Sequence, residues 1–205
     1  MTSLDRLPRV PLCHLPTPLE EMPALARALG GPRLFIKRAD CTGLATGGNK
    51  ARKLEYLLGA ARQRGADVLI TEGGMQSNHC RQTAAAAVRC GIPCVLVLSR
   101  GQHAEVTGNL LLDQLLGARI VLVDSGAERR PMMERLAAEA RGQGQRPYLI
   151  PTGGSNGVGA VGYVQALHEL ETQARARGIN VDACVFCSGS GGTSQGPARG
   201  PHWLA

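Results

Sequence analysis

Aromatic residues are scarce in this chain, 3% of 205 positions, and that scarcity sets the first limits on function. Grooves that stack nucleic-acid bases need aromatics interleaved with basic residues. No such run occurs, although the net charge is +7. The positive charge is scattered over helical stretches with no block of one sign, which points to small anionic ligands. No apolar stretch approaches the ~20 residues of a membrane span. Met1–Leu12 holds arginines and prolines but no apolar core of a secretory signal. Metal-ligand spacing is missing as well. Cys184-Val185-Phe186-Cys187 has the C-x-x-C form, but on a strand its thiols would face opposite sides. His14, His103 and His168 each stand alone. The seven cysteines are odd in number and lie mostly in apolar runs, which suits a reducing, cytoplasmic setting and not a disulfide framework. The expectations are therefore no metal, no nucleic acid and no membrane.

What the chain does have is 43% hydrophobic residues and 27 glycines, the balance of an α/β protein with many tight turns. Leu34–Lys37 reads as a short strand and 51–64 as a helix stopped by Gly65. The alternation continues with a strand at 67–71, a helix at 80–90, a strand at 94–98 and a helix at 109–116. Next come a strand at 120–123, a helix at 131–141 with Pro131 near its first turn, and a strand at 148–150. A long helix at 158–177 and a last strand at 183–187 close the pattern. Strands that are apolar throughout, each followed by a helix, predict doubly wound parallel sheets covered on both faces. Ligands of such sheets bind in the loops at the strands' carboxyl ends.

Four of these loops draw attention. Gly43-Leu44-Ala45-Thr46-Gly47-Gly48-Asn49-Lys50 puts three glycines before a lysine at the mouth of a helix. Glycine supplies positive-φ turns and close backbone approach. The helix dipole favours a neutral amine and an anion beside it, as a Schiff-base lysine needs, although a surface lysine would fit the same pattern. Gln76-Ser77-Asn78-His79 fits both a helix cap and a grip on a carboxylate, and both stay open. Ser188-Gly189-Ser190-Gly191-Gly192-Thr193 has the composition of an anion nest for phosphate, or of a flexible turn. It lacks the lysine of a nucleoside-triphosphate loop. Gly157-Val158-Gly159-Ala160-Val161-Gly162 matches G-x-G-x-x-G formally. The acidic residue of a dinucleotide site is out of place, because Asp182 precedes the next strand, so close helix–sheet packing is the preferred reading and NAD(P) binding the alternative.

Taken together, Lys37 to Glu55, Gln76–His79, Gly153-Gly154-Ser155-Asn156 and Ser188–Thr193 make the chain similar to one branch of pyridoxal-phosphate enzymes. That branch holds 1-aminocyclopropane-1-carboxylate deaminase, D-cysteine desulfhydrase and L-cysteate sulfo-lyase, of the tryptophan-synthase-β fold type. The resemblance covers roughly Leu15 to Thr193. It implies that Lys50 carries pyridoxal 5'-phosphate and moves protons at the substrate Cα, with Ser77 also catalytic. It implies that Asn49 and Asn78 contact the cofactor, that Ser77, Asn78 and His79 hold the substrate carboxylate, and that Ser188, Gly189, Ser190, Gly191, Gly192 and Thr193 cradle the phosphate. Deaminases resemble Gln-Ser-Asn-Gln at this loop, whereas His79 is like the sulfur lyases. The expected reaction is β-elimination from D-cysteine or L-cysteate to pyruvate, ammonia and sulfide or sulfite, with the deaminase as the alternative. Homodimers are common in the family. The implied division is residues 1–50 as the start of a large cofactor domain, 51–152 as a small α/β domain, 153–193 as the return, and 194–205 as an atypical tail. Family members run on for more than another hundred residues. An incomplete large domain, and weak or absent activity, is therefore a further expectation.

Overall fold

The computed structural model describes residues 6–101, 105–187, 189–191 and 193. His103, Ser188, Gly192 and the stretch 194–205 lie outside the described residues. At the centre is a four-stranded parallel sheet of β3 (Val68–Gly74), β4 (Cys94–Ser99), β5 (Arg119–Val123) and β6 (Pro147–Ile150), in the order β5-β4-β3-β6. The central strands β3 and β4 are buried because helices cover both faces, whereas the edge strand β5 stays partly exposed. On one face, α2 (Ala51–Gln63), α3 (Asn78–Cys90) and α4 (Gly108–Leu115) bury Leu54, Leu57, Leu58, Leu69, Leu96, Leu98 and Ile150. On the other, α5 (Gly126–Gly142) covers Val68, Ile70, Val95 and Val97 with Met133, Leu136 and Ala137. Each fully buried side chain of this size contributes about 1.5–3 kcal/mol.

The strand order reverses at β3, with β4 on one side and β6 on the other. A crevice therefore opens at the carboxyl ends of β3 and β6, where the loops part in opposite directions. Helix α6 (Gly157–Ala176) adds an outer layer by packing on α2, so α2 is covered all round. Gly162 makes that approach possible, since a Cβ there would lie 2.2 Å from the Arg52 carbonyl oxygen. A Cβ at Gly159 would instead lie 2.1 Å from the carbonyl oxygen of Gly154, in the turn before α6. The glycine series thus serves close packing, as the sequence suggests, but against a helix and not the sheet.

A small antiparallel pair, β1 (Leu19–Glu21) and β2 (Phe35–Lys37), and α1 (Pro23–Leu29) precede this unit. Neither β1 nor α1 is legible from periodicity, since α1 is short and buries no residue. Two further expectations fail. Helix α5 begins five residues before Pro131, at Gly126 after Ser125, whose hydroxyl donates to Glu128 at 2.6 Å. Residues 183–187 form no strand: their backbone meets no neighbouring strand, and Val185 is 97% exposed. Cys184 and Cys187 are therefore not set on opposite sides of a strand.

The first residues are tied to the core through buried charge. Glu55 accepts from the Leu12 and Cys13 amides at 2.8 and 2.9 Å and pairs with Arg9. On α6, Glu169 accepts from Arg52 at 2.9 Å and Lys37 at 2.5 Å and from the Thr17 amide at 2.9 Å. Burial alone would raise the Glu169 carboxyl, but the bonds from Arg52 and Lys37 outweigh it and hold the pKa at about 2. A carboxylate depressed from the ordinary ~4.3 stabilises the fold fully above that value, and loses the contribution as pH falls through about 2. Glu169→Gln should therefore cost roughly 2–4 kcal/mol at pH 7 by stranding Arg52 and Lys37. In urea unfolding the gap from wild type should shrink between pH 5 and pH 2. A gap that stays constant over that range would contradict the role given to this carboxylate.

Candidate active site

The loop before α2 turns as its glycines require, with φ of 87° at Gly43, 78° at Gly47 and 131° at Gly48. A Cβ at Gly47 would strike the Asp40 carbonyl oxygen at 2.1 Å, and one at Gly48 would meet the Gln82 amide at 2.4 Å. Ala45 and Thr46 also have positive φ, 43° and 68°. Side-chain-bearing residues in that region cost about 1–3 kcal/mol each and persist only when their surroundings enforce them. Here the Arg81 guanidinium does so, donating to the Ala45 and Gly47 carbonyls and the Thr46 hydroxyl.

Lys50 emerges from this loop as the residue that opens α2. Its amine has no hydrogen-bond or ionic partner among the described residues, and burial lowers its pKa from the usual value. Three residues on, and so on the same helical face, Lys53 is fully buried. Its ammonium donates to the Gly153 carbonyl at 3.1 Å and faces the Ser155 hydroxyl at 3.4 Å. Burial, then the neighbouring Lys50, brings the Lys53 pKa down to about 8. Neither lysine forms an ion pair with a carboxylate among the described residues. The crevice therefore carries positive potential that no ion pair to these lysines offsets among the described residues.

Ser77 caps α3, its hydroxyl accepting from the Cys80 amide at 3.3 Å. The Asn78 and His79 amides that follow have no intrahelical acceptor and open towards the same crevice end of the sheet. Capping and anion capture, which the sequence leaves open, are thus compatible: the side chain caps while the next two amides stay available. Asn78 donates to the Asn49 side chain at 3.1 Å, so two loops far apart in sequence meet beside Lys50. Gln82 fixes them further, accepting from the Ala51 amide at 2.8 Å and donating to the Asn78 carbonyl at 3.1 Å.

His79 points elsewhere. Its ring is 2% exposed, with Nε2 at 2.9 Å from the Thr71 hydroxyl. That hydroxyl gives its proton to the Ile150 carbonyl at 2.8 Å, so Nε2 must carry the ring proton and Nδ1 is an acceptor with no partner. Burial, then Lys50 and Lys53, lowers the ring pKa to about 3. A neutral His79 can offer a substrate its backbone amide, not a charged ring.

The last loop reaches the same place. Ser190 lies 2.6 Å, hydroxyl to hydroxyl, from Ser155, and Thr193 hydrogen-bonds Tyr163, whose hydroxyl lies 3.5 Å from the Asn49 carbonyl. Gly191 has the positive φ, 75°, of a nest-like turn, and Gly189 is exposed. Sequence reasoning singles out Lys50, Asn49, Ser77, Asn78, Ser190 and Thr193 but misses Lys53, Arg81, Gln82 and Tyr163. The i,i+3 spacing of Lys53 from Lys50 and the i,i+4 spacing of Gln82 from Asn78 are the signals that were available.

The arrangement fits an aldehyde-bearing phosphate. It offers one unpaired amine of lowered basicity, a second buried cation, a pair of free helix amides and a glycine turn. Among the described residues no group of side chains could hold a metal, and no helix is long and apolar enough to cross a membrane.

Comparison with known proteins agrees. Residues 10–203 match the family described as pyridoxal-phosphate dependent enzyme, a match that extends inside the stretch 194–205. A protein of Pyrococcus abyssi named "Putative 1-aminocyclopropane-1-carboxylate deaminase" is 45% identical over 94% of this chain. The chain spans 58% of the length of that relative. The crystal structure of an ACC deaminase homologue superposes with a TM-score of 0.87 at 42% identity, over 93% of this chain and 57% of the other. A pyridoxal 5'-phosphate-dependent aspartate racemase shares the fold at a TM-score of 0.70 and 22% identity, over 88% of this chain and 51% of its own. The parallel α/β architecture is that of the tryptophan-synthase-β-like fold. This chain belongs to the pyridoxal-phosphate dependent enzyme family.

Proposed function

We propose that this chain holds the cofactor and substrate-carboxylate site of a lyase that removes a leaving group from a small cysteine-like amino acid, D-cysteine or L-cysteate. The observation that carries the reading is the half-buried Lys50 amine, without a partner among the described residues, beside the second buried cation Lys53. When bound, the cofactor supplies the electron sink for a carbanion at Cα. The chain supplies the rest. Lys50 is the amine for the cofactor aldehyde and moves the Cα proton. Asn78, braced by Asn49, would hold the cofactor ring, and Lys53 with Ser190, Gly189, Gly191 and Thr193 would neutralise the phosphate. The Ser77–His79 helix start receives the substrate carboxylate, with Ser77 as the hydroxyl nearest the chemistry.

Support for carbon–sulfur cleavage comes from His79 at a position where deaminases resemble glutamine. Its ring faces Thr71, which removes it from direct substrate contact and weakens that support. The names of the similar proteins favour a second reading, 1-aminocyclopropane-1-carboxylate deaminase. Residues 51–152 as a small domain, flanked by 1–50 and 153–193 of a larger one, form part of the proposal, since the four-stranded sheet lies wholly within that middle stretch. A reducing cytoplasm and assembly as a dimer complete it.

Product analysis separates the readings. Purified protein given pyridoxal phosphate is incubated in turn with D-cysteine, L-cysteate and 1-aminocyclopropane-1-carboxylate. Pyruvate with sulfide or sulfite supports the lyase, whereas 2-oxobutanoate from the third substrate alone would replace it by the deaminase. Cofactor capture without any keto acid would overturn both activities for this chain.

A further inference from the structure

We propose that Arg81 is the positioning residue of the turn that carries Lys50, with the buried carboxylate of Asp113 as its counter-charge. The proposal rests on the reading of Lys50 as the cofactor amine and deepens it. Arg81 leaves α3 almost fully buried, 5% exposed, and spends its terminal nitrogens on the backbone and hydroxyl of Ala45–Gly47. Those residues include the two with positive φ that have no glycine to excuse it. Three acceptors set by one planar fork define the turn's path more tightly than a single point charge could. From Gly47 the chain runs through Gly48, whose amide bonds the Asp40 carbonyl at 2.9 Å, directly into Asn49 and Lys50.

The acceptors that Arg81 meets are neutral dipoles, so its charge still needs an opposite one. Asp113 provides it from α4. That helix turns Leu110 and Asp113, three residues apart, inward on one face where a second apolar residue would be expected. Asp113 is 0% exposed, and neither carboxylate oxygen has a hydrogen-bond partner among the described residues. The Arg81 Nε is likewise buried and unpartnered. Groups that interact electrostatically with Asp113 are Arg81 and Cys80 from α3 and Cys94 from β4, and Arg81 is the one cation among them within the described residues. Burial raises the Asp113 carboxyl to about 7 and Arg81 opposes that rise, so near neutral pH the group is only partly ionised, and the negative charge it keeps answers Arg81 without a direct ion pair among the described residues. That charge would link α4 through α3 to the lysine turn.

The test uses the full chain with Arg81→Gln, Arg81→Lys and Asp113→Asn. Its first readout needs no cofactor: hydrogen exchange at the Gly47 and Gly48 amides, which bond the Leu44 and Asp40 carbonyls. Arg81→Gln should quicken exchange there about tenfold or more while amides of β3 and β4 exchange as in wild type. Arg81→Lys should fall between the two, and Asp113→Asn should quicken the same amides by a smaller factor. The second readout is the rate at which pyridoxal phosphate is fixed on Lys50 by borohydride, expected to drop about tenfold in Arg81→Gln. Unchanged exchange at Gly47 and Gly48, or equal quickening throughout the fold, would overturn the positioning role. Unchanged exchange in Asp113→Asn would remove the counter-charge from it. If wild type fixes no cofactor on Lys50, the reading of Lys50 fails by itself, and the exchange arm still decides whether Arg81 holds the turn.

Discussion

Gly162→Val should destabilise the protein by about 3 kcal/mol or more, a large part of the ~5–15 kcal/mol that holds a domain together. The new Cβ would lie 2.2 Å from the Arg52 carbonyl oxygen, 2.5 Å from its carbon and 2.9 Å from the Lys53 nitrogen. All three are backbone atoms of a buried helix, so no rotamer change relieves the clash and α6 must lift from α2. Lifting it exposes Leu57 and Leu167 and separates Glu169 from Arg52, so the losses compound. Gly157, in the same motif, is the internal control. A Cβ there meets nothing within 4 Å and its φ is not positive, so Gly157→Ala should be neutral or stabilise by up to ~1 kcal/mol. Urea midpoints at constant slope check both. Equal effects at the two sites would mean that packing is not what the glycines provide.

The same motif shows what a sequence can and cannot reveal. Periodicity locates β3, β4, β5 and β6 because each is a short apolar run in a two-sided sheet, and loop chemistry singles out Lys50, Ser77 and Asn78 as candidates. What stays hidden depends on partners distant along the chain. That Gly162 abuts Arg52 and not the sheet is set by α6 crossing α2 over a hundred residues of separation. Ala45 and Thr46 carry no local hint of positive φ, since the cause is Arg81 on another helix. Lys53 reads as one more basic residue on a helix, yet it is fully buried because α6 covers the outer side of α2. Residues 183–187 are the opposite case: the local pattern is strand-like, but a strand exists only where a neighbour completes its ladder.

Lys50→Ala is expected to end covalent uptake of pyridoxal phosphate and with it any lyase activity. The competing candidate is Lys53, three residues away and also of lowered basicity. Geometry separates them. Lys53 is held by the Gly153 carbonyl and faces Ser155, which bonds Ser190 of the last loop, so its charge is engaged on the side where the phosphate is proposed to sit. The Lys50 amine is uncommitted among the described residues, and only a neutral, uncommitted amine can attack an aldehyde. Borohydride reduction followed by peptide mapping should find the label on Lys50 in wild type and none in Lys50→Ala. Lys53→Met should keep the label on Lys50 while weakening cofactor affinity by about tenfold, the loss of one partly buried phosphate contact. The pH dependence carries the sign of burial. Because burial lowers the Lys50 pKa, its neutral fraction grows at lower pH than that of a free lysine, and the fixation rate should rise with pH and level off below ~10.4. A label that moves to Lys53 in wild type, or a rate still climbing past the free-lysine value, would show that the amine after the glycine turn is not the one the site was built to present.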